Sequence, residues 1–200
     1  MLNLVHPEPT SQTALAAMAL GFFVFAAALA MARSRKAGAP RVAEKRSPGS
    51  MLGVLVQGLG FVAVGIGPIR TTLDPGSTLA ISEAGLVLVL IALTILLFFS
   101  ASRAMGRNWS IIARTREDHQ LVTWGPFAAI RHPIYTGLFA FLLAIALAFG
   151  HWRGLILGVP LYWIGTWMRI AQEEKLLRAQ FGAAYDAYAA RVKRFVPGLI

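Results

Sequence analysis

The chain reads as an all-α integral membrane protein of about five transmembrane helices with a cytoplasmic C-terminal amphipathic helix, and three observations carry that reading. Apolar residues make up 56% of the 200 residues and charged residues only 14%, at a mean hydropathy of +0.62. A soluble domain carries about a quarter charged residues. The apolar residues are gathered into runs near the length of one helical crossing, about 20 residues. Finally, lipid offers the backbone no hydrogen-bond partner, so such runs satisfy themselves internally as helices. The chain is read as a single membrane domain spanning residues 1–200.

The first run covers 14–32. Ala30-Met31-Ala32 resembles a small-residue cleavage site. However, no Lys or Arg precedes the run and a basic cluster follows it, which is the reverse of a secretory signal, so the run is kept as an anchor. The stretch from Arg33 to Ser50 then reads as a flexible basic linker. The second run, 51–69, contains five glycines, and the third, 84–101, is the most apolar. Asp74-Pro75-Gly76 between them is a turn. The last apolar block runs from Ile134 to Ile170 and is broken by Gly150-His151-Trp152-Arg153-Gly154. Its length fits two spans, 134–149 and 154–170, joined by a tight hairpin whose His151 and Trp152 mark the outer interface. In the tail, Leu177, Phe181, Tyr185, Tyr188, Val192 and Phe195 recur at spacings of three and four, so an amphipathic surface helix is expected, divided at Gly182.

Charge sets the orientation. Arg33, Arg35, Lys36, Arg41, Lys45 and Arg46 follow the first run. Arg103, Arg107, Arg114, Arg116 and Arg131 follow the third, and Lys175, Arg178, Arg191, Lys193 and Arg194 follow the fifth. The other loops hold only Arg70 and Arg153. This alternation puts the N-terminus outside and the C-terminus in the cytoplasm. A net charge of +10 distributed in this way speaks for a membrane surface and against nucleic acid. The absence of cysteine excludes disulfides, thiolate metal sites and a cysteine nucleophile, and no metal site is expected. The basic, alanine-rich composition and short loops point to a bacterial inner membrane.

Two polar clusters fall on the cytoplasmic side. One is Leu121-Val122-Thr123-Trp124-Gly125-Pro126-Phe127 followed by Arg131-His132-Pro133-Ile134-Tyr135. The other is Arg169, Glu173 and Glu174. The fourth and fifth spans form one hairpin, so their inner ends must be neighbours. Each residue also has an ordinary reading: Arg131 and His132 as interfacial cations, Tyr135 as an aromatic anchor, Arg169 as a snorkelling side chain, and Glu174 with Arg178 as a surface pair four residues apart. Their combination is less ordinary. Arg169 and Glu173 share one helix face at the membrane boundary, where ionisable groups are costly and have partners. Histidine, arginine, tyrosine and paired carboxylates facing one another suit a zwitterionic ligand such as S-adenosylmethionine.

The string Arg131-His132-Pro133-Ile134-Tyr135-Thr136-Gly137, with Gly125-Pro126-Phe127 before it and Glu173-Glu174 after the next span, resembles the isoprenylcysteine carboxyl methyltransferase family and its phospholipid methyltransferase relatives. Phe181-Gly182, Tyr185, Tyr188, Val192, Arg194 and Pro197 continue the resemblance, which runs from Met105 to Pro197. It implies an S-adenosylmethionine-dependent methyltransferase whose segments 102–133 and 171–200 form the cofactor site. Leu121, Val122, Gly125, Pro126, Arg131, His132, Tyr135 and Glu174 would bind the cofactor, and Arg169 and Glu173 would lie at the reacting centre. Phe127 stands where such proteins commonly carry tyrosine, so no hydroxyl contact is expected there.

The residues leave the acceptor open. A lipophilic carboxylate, including a prenylated substrate, needs no base, because its reference pKa is about 4. Arg169 would grip it and Glu173 would hold Arg169. A phospholipid amine, with a reference pKa near 10, would need Glu173 as base. An NADPH-dependent membrane reductase and a non-enzymatic membrane protein are the other classes the pattern admits. The oligomeric state is not legible from the chain.

Overall fold

The structure, a computed structural model, describes residues 7–37, 45–46, 48–106, 114–115 and 120–199. Most of the basic linker (38–44 and 47) and part of the segment after the third run (107–113 and 116–119) lie outside the described residues. Among the described residues the chain forms six α-helices: α1 Gln12–Ala37, α2 Pro48–Gly65, α3 Thr78–Met105, α4 Pro133–Ala148, α5 Leu155–Phe181 and α6 Ala183–Arg191. Four two-residue strands accompany them as two short pairs, one parallel (Pro9–Thr10 with Arg70–Thr71) and one antiparallel (Lys45–Arg46 with Arg114–Thr115).

Local chemistry sets the helix ends. The Ser11 hydroxyl accepts the Ala14 N–H (3.0 Å) at the start of α1, and Ser77 accepts Ala80 N–H (3.2 Å) at the start of α3. Pro48 and Pro133 open α2 and α4, where a missing N–H costs nothing. α2 stops at Gly65, before Gly67-Pro68, rather than reaching 69, since proline disfavours helix in the residue ahead of it. α5 does not end near Ile170. It continues to Phe181 and breaks at Gly182, whose φ of +50° a side-chain-bearing residue rarely adopts.

Among the described residues, three stretches are long and apolar enough to cross a membrane: Gln12–Ser34, Thr78–Met105 and Trp152–Phe181. The other two apolar helices, Gly49–Gly65 and Pro133–Ala148, are shorter. The 16 residues of α4 extend about 24 Å, against a hydrocarbon core of about 30 Å. The chain is thus an all-helical membrane protein in which, among the described residues, three of the five expected spans are full-length candidates and the other two correspond to the shorter apolar helices.

Packing does not follow chain order. α2 lies along α5, α3 along α4, and α1 along α3, while α4 and α5 touch each other sparingly. The α2–α5 seam is so close that a Cβ on Gly165 would sit 2.4 Å from the Gln57 nitrogen and 2.6 Å from the Gly53 carbonyl oxygen. Glycine there lets two backbones approach directly. Between α4 and α5 the space is taken by aromatic rings, with Tyr162 fully buried against Phe139 and Phe61.

The turn side of the α4–α5 hairpin is tied shut. The Glu8 N–H donates to the Gly150 carbonyl (2.9 Å), and its carboxylate pairs with Arg153 (2.6 Å). Thr10 donates within 2.9 Å of both Glu83 and the Ala148 carbonyl, and Ser11 donates to Glu83 (3.1 Å). The ring nitrogens of buried His151 each lie 2.9 Å from a backbone oxygen, those of Val64 and Pro68.

Candidate functional site

The opposite end of the same hairpin gathers the chemistry-bearing side chains. Because α4 begins at Pro133, Arg131 and His132 occupy the extended lead-in to it. The C-terminal tail returns alongside this lead-in. Arg131 N–H donates to the Lys193 carbonyl (2.8 Å) and His132 N–H to the Arg194 carbonyl (2.9 Å). Phe195 is thereby inserted among Tyr135, Ile170 and Trp163, with its ring 4.7 Å from that of Trp163. This strap carries Arg194 back to α5.

Glu174 is the hub. It is 3% exposed, and basic groups converge on it from four positions. Arg194 donates to both carboxylate oxygens (3.0 and 2.9 Å). Arg131 lies at 3.3 Å, His132 Nε2 at 3.3 Å and Arg178 at 3.7 Å. Burial of this degree overturns the ordinary reading of Glu174 and Arg178 as a solvated surface pair: the strap and the α4 lead-in cover the carboxylate. The hydrogen bond from Arg194 to Glu174 holds that guanidinium above its ordinary range.

Beside the hub, the Tyr135 hydroxyl donates to Glu173, whose other oxygen lies 3.8 Å from His132 Nδ1. His132 therefore stands between the two glutamates. The Arg169 guanidinium lies over the Tyr135 ring, 4.8 Å from its centroid, and donates to Gln57 Oε1 (2.6 Å). Arg131, His132, Tyr135, Arg169, Glu173 and Glu174, all singled out in the sequence, thus form one connected cluster. Gln57 holds the Arg169 guanidinium, and Glu173 takes the Tyr135 hydroxyl.

The more distant segment connects less directly. Leu121 and Val122 are half-buried, and Gly125 and Pro126 form a single 3-10 turn, Gly125–Ala128. Gly125 has a φ of +63°. The turn joins the cluster through α6, where the Tyr188 hydroxyl donates to the Phe127 carbonyl (2.7 Å). Phe127 itself contributes no hydroxyl, and α6 supplies one. Burial pushes the Tyr188 hydroxyl up to about 12 and raises Tyr185 as well, so both stay neutral O–H groups.

Arg131 Nε and the Tyr185 hydroxyl are among the buried polar atoms with no hydrogen-bond partner among the described residues. Orphaned buried donors are rare. Sequence reasoning missed Gln57 and the role of Arg194. The first had a signal, since Gln57 is the one polar side chain between Met51 and Gly65.

Residues 83–184, 102 of the 200, match the family model described as "Phospholipid methyltransferase". The match covers nearly all of α3 together with α4 and α5, and leaves α1 and α2 outside. Among characterised proteins, the chain is 32% identical over 100 residues to protein-S-isoprenylcysteine O-methyltransferase of Schizosaccharomyces pombe, covering 49% of this chain and 42% of that one. It is 30% identical over 119 residues to protein-S-isoprenylcysteine O-methyltransferase B of Arabidopsis thaliana, covering 58% and 59%. It is 33% identical over 100 residues to the Tribolium castaneum enzyme of that name, covering 46% and 34%. The aligned part thus spans between a third and three-fifths of these relatives' length.

Proposed function

The chain belongs to the phospholipid methyltransferase family, with isoprenylcysteine O-methyltransferases among its relatives, and from that premise we propose that it transfers a methyl group from S-adenosylmethionine to a lipophilic carboxylate at the membrane surface. The observation that carries the proposal is Arg169, a buried guanidinium fixed on two sides and beside the donor-rich cluster around Glu174.

The donor set fits S-adenosylmethionine. Arg131 Nε and the Tyr185 hydroxyl are orphaned, which suits the oxygen acceptors of an amino-acid carboxylate or a ribose. Glu174 suits an α-ammonium, and the Leu121, Val122, Gly125 and Pro126 segment suits an apolar ring. His132 and Tyr135 complete the cofactor side. When bound, the cofactor supplies an electrophilic methyl group on a positively charged sulfur. This chain's residues bind, orient and exclude water. Arg169 grips the acceptor carboxylate through two parallel N–H donors. No proton has to move, since such a carboxylate, with a reference pKa of about 4, is already ionised at neutral pH. Glu173 fixes the Tyr135 ring on which Arg169 rests. An ammonium acceptor would instead be repelled by Arg169, which is why the carboxylate is preferred over a phospholipid amine.

The proposal includes the topology. α2 and α4, though short, complete five crossings with the help of their flanking turns. The N-terminus lies outside a bacterial inner membrane, and the cluster faces the cytoplasm. The acceptor, a lipophilic acid or a prenylated cysteine, comes sideways from lipid, and the cofactor comes from water.

The test is direct. Detergent-purified chain is incubated with methyl-labelled S-adenosylmethionine and, separately, a prenylated cysteine, a long-chain acid and a lipid amine. Alkali-labile label in either acid supports the reading. Alkali-stable label in the amine shifts the acceptor class. Thermal stabilisation by NADPH, with none by S-adenosylmethionine or its demethylated product, removes the methyltransferase reading.

A further inference from the structure

We infer that Gln57, on a helix outside the family-matching segment, positions Arg169 for an anionic acceptor and so helps set which acceptors the site takes; this rests on the methyl-transfer reading. Gln57 is 4% exposed and lies halfway along α2, where a polar side chain in an apolar helix is costly unless matched. It is fully engaged. Its Oε1 accepts from Arg169 (2.6 Å) and its Nε2 donates to Thr166 Oγ1 (2.8 Å). Arginine can only donate, so the amide's orientation is dictated by its partner. Thr166 and Arg169 are three residues apart and share one face of α5. The approach that makes this reach possible comes from Gly53 and Gly165. A Cβ on Gly53 would meet Arg169 Cγ at 2.6 Å, and one on Gly165 would meet the Gln57 nitrogen at 2.4 Å.

The chemistry of the partner is what matters. A carboxylate at position 57 would make the same hydrogen bond to Arg169 and would also cancel its charge. An amide orients the guanidinium and adds no negative charge beside it. With its face against Tyr135 and one edge held by Gln57, Arg169 presents a fixed cation. A fixed cation favours an ionised acid and disfavours an ammonium. The acceptor preference is therefore written partly into α2, beyond the part of the chain the family shares.

The test compares Gln57→Glu with Gln57→Met in the full chain. Glutamate keeps the volume, the bond to Arg169 and, by rotation of the Thr166 hydroxyl, the bond to Thr166. The expected result is a fall of about 30-fold in kcat/KM for the carboxylate acceptor, from the loss of one charged contact. S-adenosylmethionine affinity by calorimetry stays within about twofold and the melting temperature is no lower, since the buried pair is complete. Gln57→Met keeps the charge but frees the edge, and is expected to raise the acceptor KM by about tenfold, as loss of one hydrogen bond from a charged donor implies. Gln57→Glu with unchanged acceptor kinetics, or with acceptor and cofactor binding falling together with the melting temperature, overturns the inference. A wild-type chain that methylates no acid overturns the methyl-transfer reading and this inference with it, whereas an active wild type with an unaffected Gln57→Glu overturns this inference alone.

Discussion

The two ends of the α4–α5 hairpin are both built from buried polar groups, and they differ in what those groups are matched to. At the turn end, His151, Thr10 and the Glu8 N–H each find backbone carbonyls, and the Glu8 carboxylate meets Arg153. Main-chain partners are fixed by the helices themselves, so this end behaves as a clasp. At the other end the charged groups pair chiefly with side chains: Glu174 with Arg131, His132, Arg178 and Arg194, Tyr135 with Glu173, and Arg169 with Gln57. Here buried polar atoms, Arg131 Nε and the Tyr185 hydroxyl among them, stay unmatched. The same helices thus carry one polar end that is largely satisfied within itself and one that keeps unmet hydrogen-bonding capacity.

The sharpest way to break this comparison is at Arg169. Arg169→Ala is expected to lower methyl transfer on the order of a thousand-fold, with cofactor affinity little changed and a stability loss of about 2 kcal/mol from the unmatched Gln57; normal turnover would remove it from the chemistry. Glu174→Gln should behave differently, because the buried Arg131 guanidinium loses its counter-charge, as do the part-exposed Arg178 and Arg194. A stability loss of about 3 kcal/mol is expected, together with weaker cofactor binding. Thermal melting and calorimetry on the same sample check both.

The clasp end should respond in stability alone. His151→Phe preserves the ring volume but removes the imidazole N–H that one of the Val64 and Pro68 carbonyls accepts. The expected cost is about 2 kcal/mol, read as a lower melting temperature, with kcat per folded molecule unchanged. A fall in kcat comparable to that of Arg169→Ala would show that the two ends are not separate in function.

How much of this could be read from the chain depends on the distance the argument had to cross. The Arg131–Tyr135 and Arg169–Glu174 pairing was legible because a single hairpin must bring its own ends together. The six charged or aromatic residues so named do form one cluster. Gln57 was not legible as a partner, because it stands 112 residues from Arg169 and meets it only through α2–α5 packing, which periodicity does not specify. Arg194 was hidden for the same reason, since it reaches Glu174 only once the tail turns back along Ile130–His132. Helix lengths were less legible than helix positions: apolar runs mark where lipid is preferred, whereas Gly67-Pro68 and Phe149-Gly150 decide where the helices stop.

The smallest expected effect is also the most telling about the unmatched end. Tyr185 is 1% exposed and its hydroxyl has no partner among the described residues. Removing an unpartnered buried hydroxyl takes away a desolvation penalty and no bond, so Tyr185→Phe should leave the melting temperature of the cofactor-free protein unchanged or slightly raised. If that hydroxyl is held in reserve for the cofactor, the same variant should bind S-adenosylmethionine about fivefold to tenfold more weakly, the value of one hydrogen bond. The two readouts must therefore move in opposite directions. A variant that loses stability without ligand would mean the hydroxyl is part of the fold, and one that binds the cofactor like wild type would mean the ligand lies elsewhere in the cluster.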